Sequence, residues 1–155
     1  MKSLYNWYMK NKLSRGFTLI EILVVLGIIA ILATIVLVAI NPARQFAQAR
    51  DTQRISNVNA ILNTVGQNIA DNKGIFTCAT AIPTVATVIK SSGGYDLRSC
   101  IVPTYIPEIP IDPKIGTLTS PSSYDTGYNI VASSTTGRIT VSAVGEITTD
   151  ISVTR

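Results

Sequence analysis

The chain is predicted to fold as α+β, with a long N-terminal α-helix packed on a small antiparallel β-sheet head. Three observations predict this. Residues 17 to 40 are apolar or glycine except for Thr18, Glu21 and Thr34. The stretch that follows carries apolar residues at helical spacing, and the C-terminal stretch alternates apolar and polar residues between turn signals.

The apolar run comes first. As a helix it would extend roughly 36 Å at about 1.5 Å per residue, enough to cross a hydrocarbon core of roughly 30 Å. A single membrane span is the expectation. A secretory signal peptide is the rival, since "FAQA" ending at Ala49 has a small-x-small form, but the run is longer than the roughly 7 to 15 residues such a peptide needs. Lys2, Lys10, Lys12 and Arg15 precede the run, whereas Arg44, Arg50 and Arg54 follow it. That bias puts the N-terminus on the cytoplasmic side. The basic excess also resides in this leader. Thirteen Lys and Arg stand against nine Asp and Glu, and beyond residue 16 the two signs balance, so the charge gives no support to nucleic-acid contact.

The second half of the helix is amphipathic. Ile55, Val58, Leu62, Val65 and Ile69 step by 3, 4, 3 and 4 along one face. The pattern ends at Asp71-Asn72-Lys73-Gly74, where a basic residue and a glycine suit the last turn and a left-handed cap. Pro42 lies between the two halves. It removes one helical hydrogen bond and crowds the preceding turn, so a kink is expected near Asn41.

After Gly74 the composition changes to Gly, Pro, Ser and Thr. "TVATVIK" reads as a short strand ended by "SSGGYD", and the proline-rich stretch from Ile101 to Tyr128 reads as ordered loop. "YNIVAS", "STTG" and "RITVSAV" form a hairpin, and "EITTDISVT" a third strand. Three antiparallel strands are expected, with their apolar face on the Ile55 to Ile69 stripe.

The chain has no histidine and two cysteines. That removes His-based triads and proton shuttles and leaves too few thiolates for a structural zinc site. No glycine-rich phosphate cradle and no convincing pair of carboxylates is present, so neither catalysis nor a cofactor is expected. Cys78 and Cys100 both lie beyond the span, where an oxidising exterior would let them pair; two buried, reduced thiols are the alternative. A bond between them would tether the intervening loop to the top of the helix and leave Gly93, Gly94 and Tyr95 as an exposed tip.

Glu21 is the anomaly, because a carboxylate inside a span costs about 2.5 to 3.5 kcal/mol on insertion scales and implies a partner. A chain cut between Gly16 and Phe17 would carry a free amine four residues away, about 6 Å along the helix axis. On a neighbouring helix staggered by that distance, amine and carboxylate would meet.

"RGFTLIEILVVLGIIAIL" resembles the N-terminal signature of type IV prepilins and of the pseudopilins of type II secretion, with a basic leader ending in Gly16, then Phe17, then Glu21. The resemblance implies the pilin fold and a leader over residues 1–16 that a prepilin peptidase/methyltransferase removes after Gly16, methylating the Phe17 amine. It further implies a transmembrane and filament-core helix over 17–41, an amphipathic half over 42–73 kinked near Pro42, and a globular head over 74–155. Glu21 would pair with the Phe17 amine of a neighbouring copy. The chain would then be a structural subunit stored in the inner membrane lipid and assembled by pilus machinery into a helical homo-oligomeric filament outside the cell. A pseudopilin of type II secretion or DNA uptake is the alternative. A single-span anchor displaying a ligand-binding head is the alternative of another class. "IPEIPIDPKIG" is also similar to the calcium-binding loop of major pseudopilins, which makes Asp112 a weak calcium candidate against a proline-rich turn with a solvated Asp.

Overall fold

The computed structural model describes residues 16–155, so the basic leader residues Lys2, Lys10, Lys12 and Arg15 lie outside the described residues. The chain forms two compact units, divided after Asn41.

The first unit is α1, Leu19–Ile40. It is apolar on every side and none of its residues is buried. Thr34 bonds its hydroxyl to the Ala30 carbonyl at 2.9 Å, so even this polar side chain is satisfied within the helix. Asn41 caps the C-terminus in the left-handed conformation, with φ 46°. The expected interruption therefore falls at Asn41, but Pro42 does not break a continuous helix. It is the first residue of a second one, where its missing N–H is no loss.

In the second unit α2, Pro42–Asp71, is followed by β1 (Thr87–Lys90), a short α3 (Arg98–Ile101), β2 (Thr117–Ser120), β3 (Ser123–Ala132), β4 (Ile139–Val144) and β5 (Asp150–Thr154). The strands form one five-stranded sheet in the order β1-β3-β4-β5, with β2 also beside β3, and every pairing is antiparallel. Asp125 is paired with both Lys90 and Thr117, so β1 and β2 flank β3 on opposite sides. The sheet thus has two strands more than the hairpin and its successor. β2 and the first half of β3 lie inside the stretch read as loop. The sequence "TLTS" has a single apolar residue, Leu118, is mostly exposed, and pairs only with β3.

The core follows the period of each element. Tyr124, Thr126, Tyr128 and Ile130 of β3 point inward with Ile139, Val141 and Ala143 of β4 and Ile151 of β5. Against them α2 buries Val58, Ile61, Leu62 and Val65. Ile55, expected in this stripe, is exposed; Arg54 and Asp51 are buried one and two helical steps before Val58 instead. At the other end of α2, Lys73 and Gly74 take positive φ, and the Gly74 N–H bonds the Ile69 carbonyl at 2.8 Å. The helix stops there as its cap residues predict.

Gly93 and Gly94 are exposed as expected, but Tyr95 is not part of an exposed tip. Tyr95 is buried, bridges to Ile89 and donates its hydroxyl to the Thr80 carbonyl at 2.9 Å. Gly94 sits so close to β1 that a Cβ would come within 2.3 Å of the Val88 carbonyl oxygen. Only a residue without a side chain lets this loop fold back onto the sheet.

Candidate functional site

Gly16, Phe17 and Thr18 precede α1 as exposed, non-helical residues. Thr18 has an extended backbone and caps the helix: its hydroxyl accepts from the Glu21 N–H at 3.2 Å, and its own N–H donates to Glu21 Oε2 at 3.4 Å. This reciprocal pair satisfies two of the donors that every helix start leaves open. A carboxylate also suits the positive end of the helix dipole. Glu21 therefore has a local reason to stand at this position, and it lies three residues from Thr18 and one turn from Phe17. From Leu19 to Ile40 the helix has a mean hydropathy of 3.3 in its most apolar window, and it is long and apolar enough to cross a membrane once.

The second unit holds a charge cluster that joins α2 to two loops. Arg54, 2% exposed, donates to both Asp112 oxygens at 2.6 and 3.1 Å, to Asp51 at 2.8 Å and to Glu146 at 3.0 Å. Asp51 in turn accepts from the backbone N–H groups of Glu146, Ile147 and Thr148 at 2.8 to 3.0 Å. Arg50 forks onto Glu146 at 2.7 Å, and Lys114 reaches the same carboxylate at 3.0 Å. Burial pushes the Asp51 carboxyl up, but the amides of Thr148, Glu146 and Ile147 and the Arg54 guanidinium more than offset this and hold it well below the usual range. Asp112 is likewise lowered: burial opposes, while Arg54 and the N–H groups of Lys114 and Ile115 win. Glu146 is lowered by Arg50, Lys114 and Arg54.

Asp112 is thus neither a solvated turn residue nor an open ligand. It is buried, and a guanidinium occupies the position a cation would take. Among the described residues no group of three or more His, Cys, Asp or Glu is arranged to hold a metal.

Cys78 and Cys100 are joined by a disulfide, with Cα atoms 5.2 Å apart. Asn68, buried on the last turns of α2, grips both ends of the segment. It accepts from the Thr77 N–H at 2.8 Å and donates to the carbonyls of Thr77 and Cys100 at 3.1 and 3.4 Å. The link spans 22 positions of sequence. Closing a loop of that length is worth about 3 kcal/mol in the chain-entropy picture. Replacing both cysteines by serine should therefore lower the melting temperature by about 10 °C, read by circular dichroism on detergent-solubilised protein. An unchanged melt would show that Asn68, the β1 pairing and the Tyr95–Thr80 bond fix the loop without the disulfide.

The structure accordingly places Gly16, Phe17 and Glu21 together at the start of α1, and Cys78, Cys100 and Asn68 together at the end of α2. Sequence reading missed Arg54 and Asn68. Their signal is positional, since both continue the three-and-four step of Val58, Ile61 and Val65.

The model of the prokaryotic N-terminal methylation motif, the leader signature of type IV pilins and pseudopilins, matches residues 11–37. It spans Gly16, Phe17 and Glu21 and ends before α2. The motif implies processing by a prepilin peptidase and handling by the associated assembly machinery. No curated protein and no solved structure matches the chain.

Proposed function

We propose that the chain is the precursor of a type IV pilin, a structural subunit without catalytic activity. Water hydrolyses the Gly16–Phe17 bond at the peptidase, the new Phe17 amine receives one methyl group, and α1 holds the mature chain in the membrane. Copies then leave the lipid by packing α1 against α1 in a filament that emerges from the cell. The amine of one copy neutralises Glu21 of the next.

The observation that carries this reading is α1 itself. All of its residues are exposed and nearly all are apolar. A helix apolar on every face has no stable place in water. Lipid covers it in the single copy, and equivalent helices cover it after assembly. The Thr18–Glu21 cap keeps the one carboxylate at the end of the helix, within reach of a neighbour's amine rather than in mid-span.

Intact mass spectrometry of fibres sheared from producing cells tests the reading. The expected chain begins at Phe17 and is heavier by one methyl group. A chain beginning at Arg50 would overturn it in favour of a cleaved signal peptide. Protein processed at Phe17 but confined to the envelope, with none in the sheared fraction, would identify a pseudopilin instead.

A further inference from the structure

A single residue, Asn41, separates the end of α1 from the start of α2. The 22 residues of α1 rise about 33 Å, which uses up a hydrocarbon core of roughly 30 Å. The start of α2 therefore emerges at the edge of that core, and the headgroup layer occupies about the next 5–8 Å. Phe46 stands at most about 6 Å from Pro42 along the axis of α2, within that layer. It is the one large apolar side chain among residues 42–50, and it is 65% exposed.

Phe46 shares its side of the helix with Arg50, one turn on, whose guanidinium forks onto Glu146 at 2.7 Å. The β4–β5 turn is thereby held against the face of α2 that carries Phe46. Val144 and Ile147 flank Gly145 and Glu146 there, exposed by 71 and 42%. Asp51 accepts from the N–H groups of Glu146, Ile147 and Thr148, which pins the backbone of the turn and leaves both aliphatic side chains outside the core. The charges among them cancel, since Arg50, Arg54 and Lys114 stand against Asp51, Asp112 and Glu146. Three exposed apolar side chains thus ring a paired, neutral cluster at the end of the unit where the membrane-crossing helix joins it.

We infer that Phe46, Val144 and Ile147 form a lipid-contact face, through which the second unit of the unassembled chain rests in the headgroup layer. Chain continuity selects the occupant: the covalent link to α1 delivers this end of α2 to the bilayer surface before any second copy is met. Apolar groups beside such a surface settle about 5–10 Å into the boundary between headgroups and acyl chains. The neutral cluster gives no reason for a preference for anionic lipid. The inference rests on the membrane reading of α1 and adds to it a second contact with lipid, made by residues of the β4–β5 turn far along the chain.

Tryptophan reporters test it in the full chain, reconstituted at low density in phosphatidylcholine vesicles. Trp7 is the one tryptophan of the sequence, so each variant also carries Trp7→Phe. Val144→Trp and Ile147→Trp replace exposed side chains and leave the core alone, and circular dichroism checks that each variant folds. With a nitroxide on the lipid headgroup, both should lose about half of their emission, as expected for side chains within the boundary layer. Val85→Trp should lose almost none. Val85 is 72% exposed at the far end of the sheet, two residues after Pro83, whose carbonyl accepts from the Ala132 N–H at 2.8 Å; Ala132 pairs with Ile139, at the other end of β4 from Val144. Ile29→Trp, in the middle of α1, should be quenched by bromines deep in the acyl chains. Loss at either folded reporter no greater than at Val85→Trp, with Ile29→Trp quenched by the deep bromines, overturns the inference and leaves the membrane reading intact. Headgroup quenching that appears only in vesicles crowded with protein assigns the face to a second copy and overturns it as well. If Ile29→Trp escapes the deep bromines, the membrane reading falls and this inference with it.

Discussion

Replacing Arg54 by methionine should destabilise the second unit by about 3–5 kcal/mol, the usual loss when one partner of a buried ion pair is removed. Methionine fills much of the same volume, so the effect isolates charge from packing. Asp51 and Asp112 would remain buried without their common counter-charge, and Glu146 would keep only Arg50 and Lys114. A drop of at least about 10 °C in melting temperature is expected. The pH dependence has a definite sign. Carboxylates held below their ordinary 3.8 and 4.5 contribute stability above those values and lose it as pH falls toward the folded-state value. The unsubstituted protein should therefore keep a flat melting temperature from neutrality to about pH 5 and lose it below about pH 4. The gap between it and Arg54→Met should narrow in the same range, because protonation removes the uncompensated charges. A gap that stays constant down to pH 3 would show that Arg54 acts by packing alone.

Glu21→Ala should leave the protein in the membrane fraction and reduce sheared fibres about tenfold or more, since a neighbour's amine would then be buried without a counter-charge. Removing the carboxylate from an apolar helix does not oppose insertion. The variant also loses the reciprocal cap with Thr18, so a second substitution is needed to separate the two roles. Glu21→Gln keeps a side chain able to complete the cap but carries no charge. Fibre counts as low for Glu21→Gln as for Glu21→Ala support charge pairing. Normal fibres from Glu21→Gln would sink it and leave the cap as the reason for an acid at this position.

The elements with one strong period were legible in the sequence. The apolar run became α1 within two residues of its first position, and the turn residues of "STTG" and the alternation of "RITVSAV" located the second half of β3, β4 and the turn between them. Where the sequence misled, a tertiary partner decided the outcome. Arg54 reads as a juxtamembrane cation and Ile55 as core, because hydropathy favours the isoleucine. Three carboxylates, Asp51 on the preceding turn of α2 and Asp112 and Glu146 from distant loops, invert that preference by neutralising the guanidinium inside the head. Stepping back from Val58 by four and then three would have placed Arg54 and Asp51 on the buried face. β2 offered no such clue, since Leu118 is its one apolar residue and the strand is mostly exposed and ordered by pairing with β3. Tyr95 was misjudged because its burial depends on the absence of a side chain at Gly94.

The carboxylate of Asp51 holding three successive amides of the β4–β5 turn also governs where foreign sequence can be inserted. Any epitope tag or fluorophore peptide placed between Gly145 and Thr148 would displace at least one of those amides and loosen the anchor of α2 with it. The β2–β3 connection at Pro121 and Ser122 is exposed, and its side-chain tie is a single hydroxyl contact between Ser120 and Ser122. Labelling chemistry and peptide display belong at that hairpin, where added length is absorbed by solvent instead of by the charge cluster.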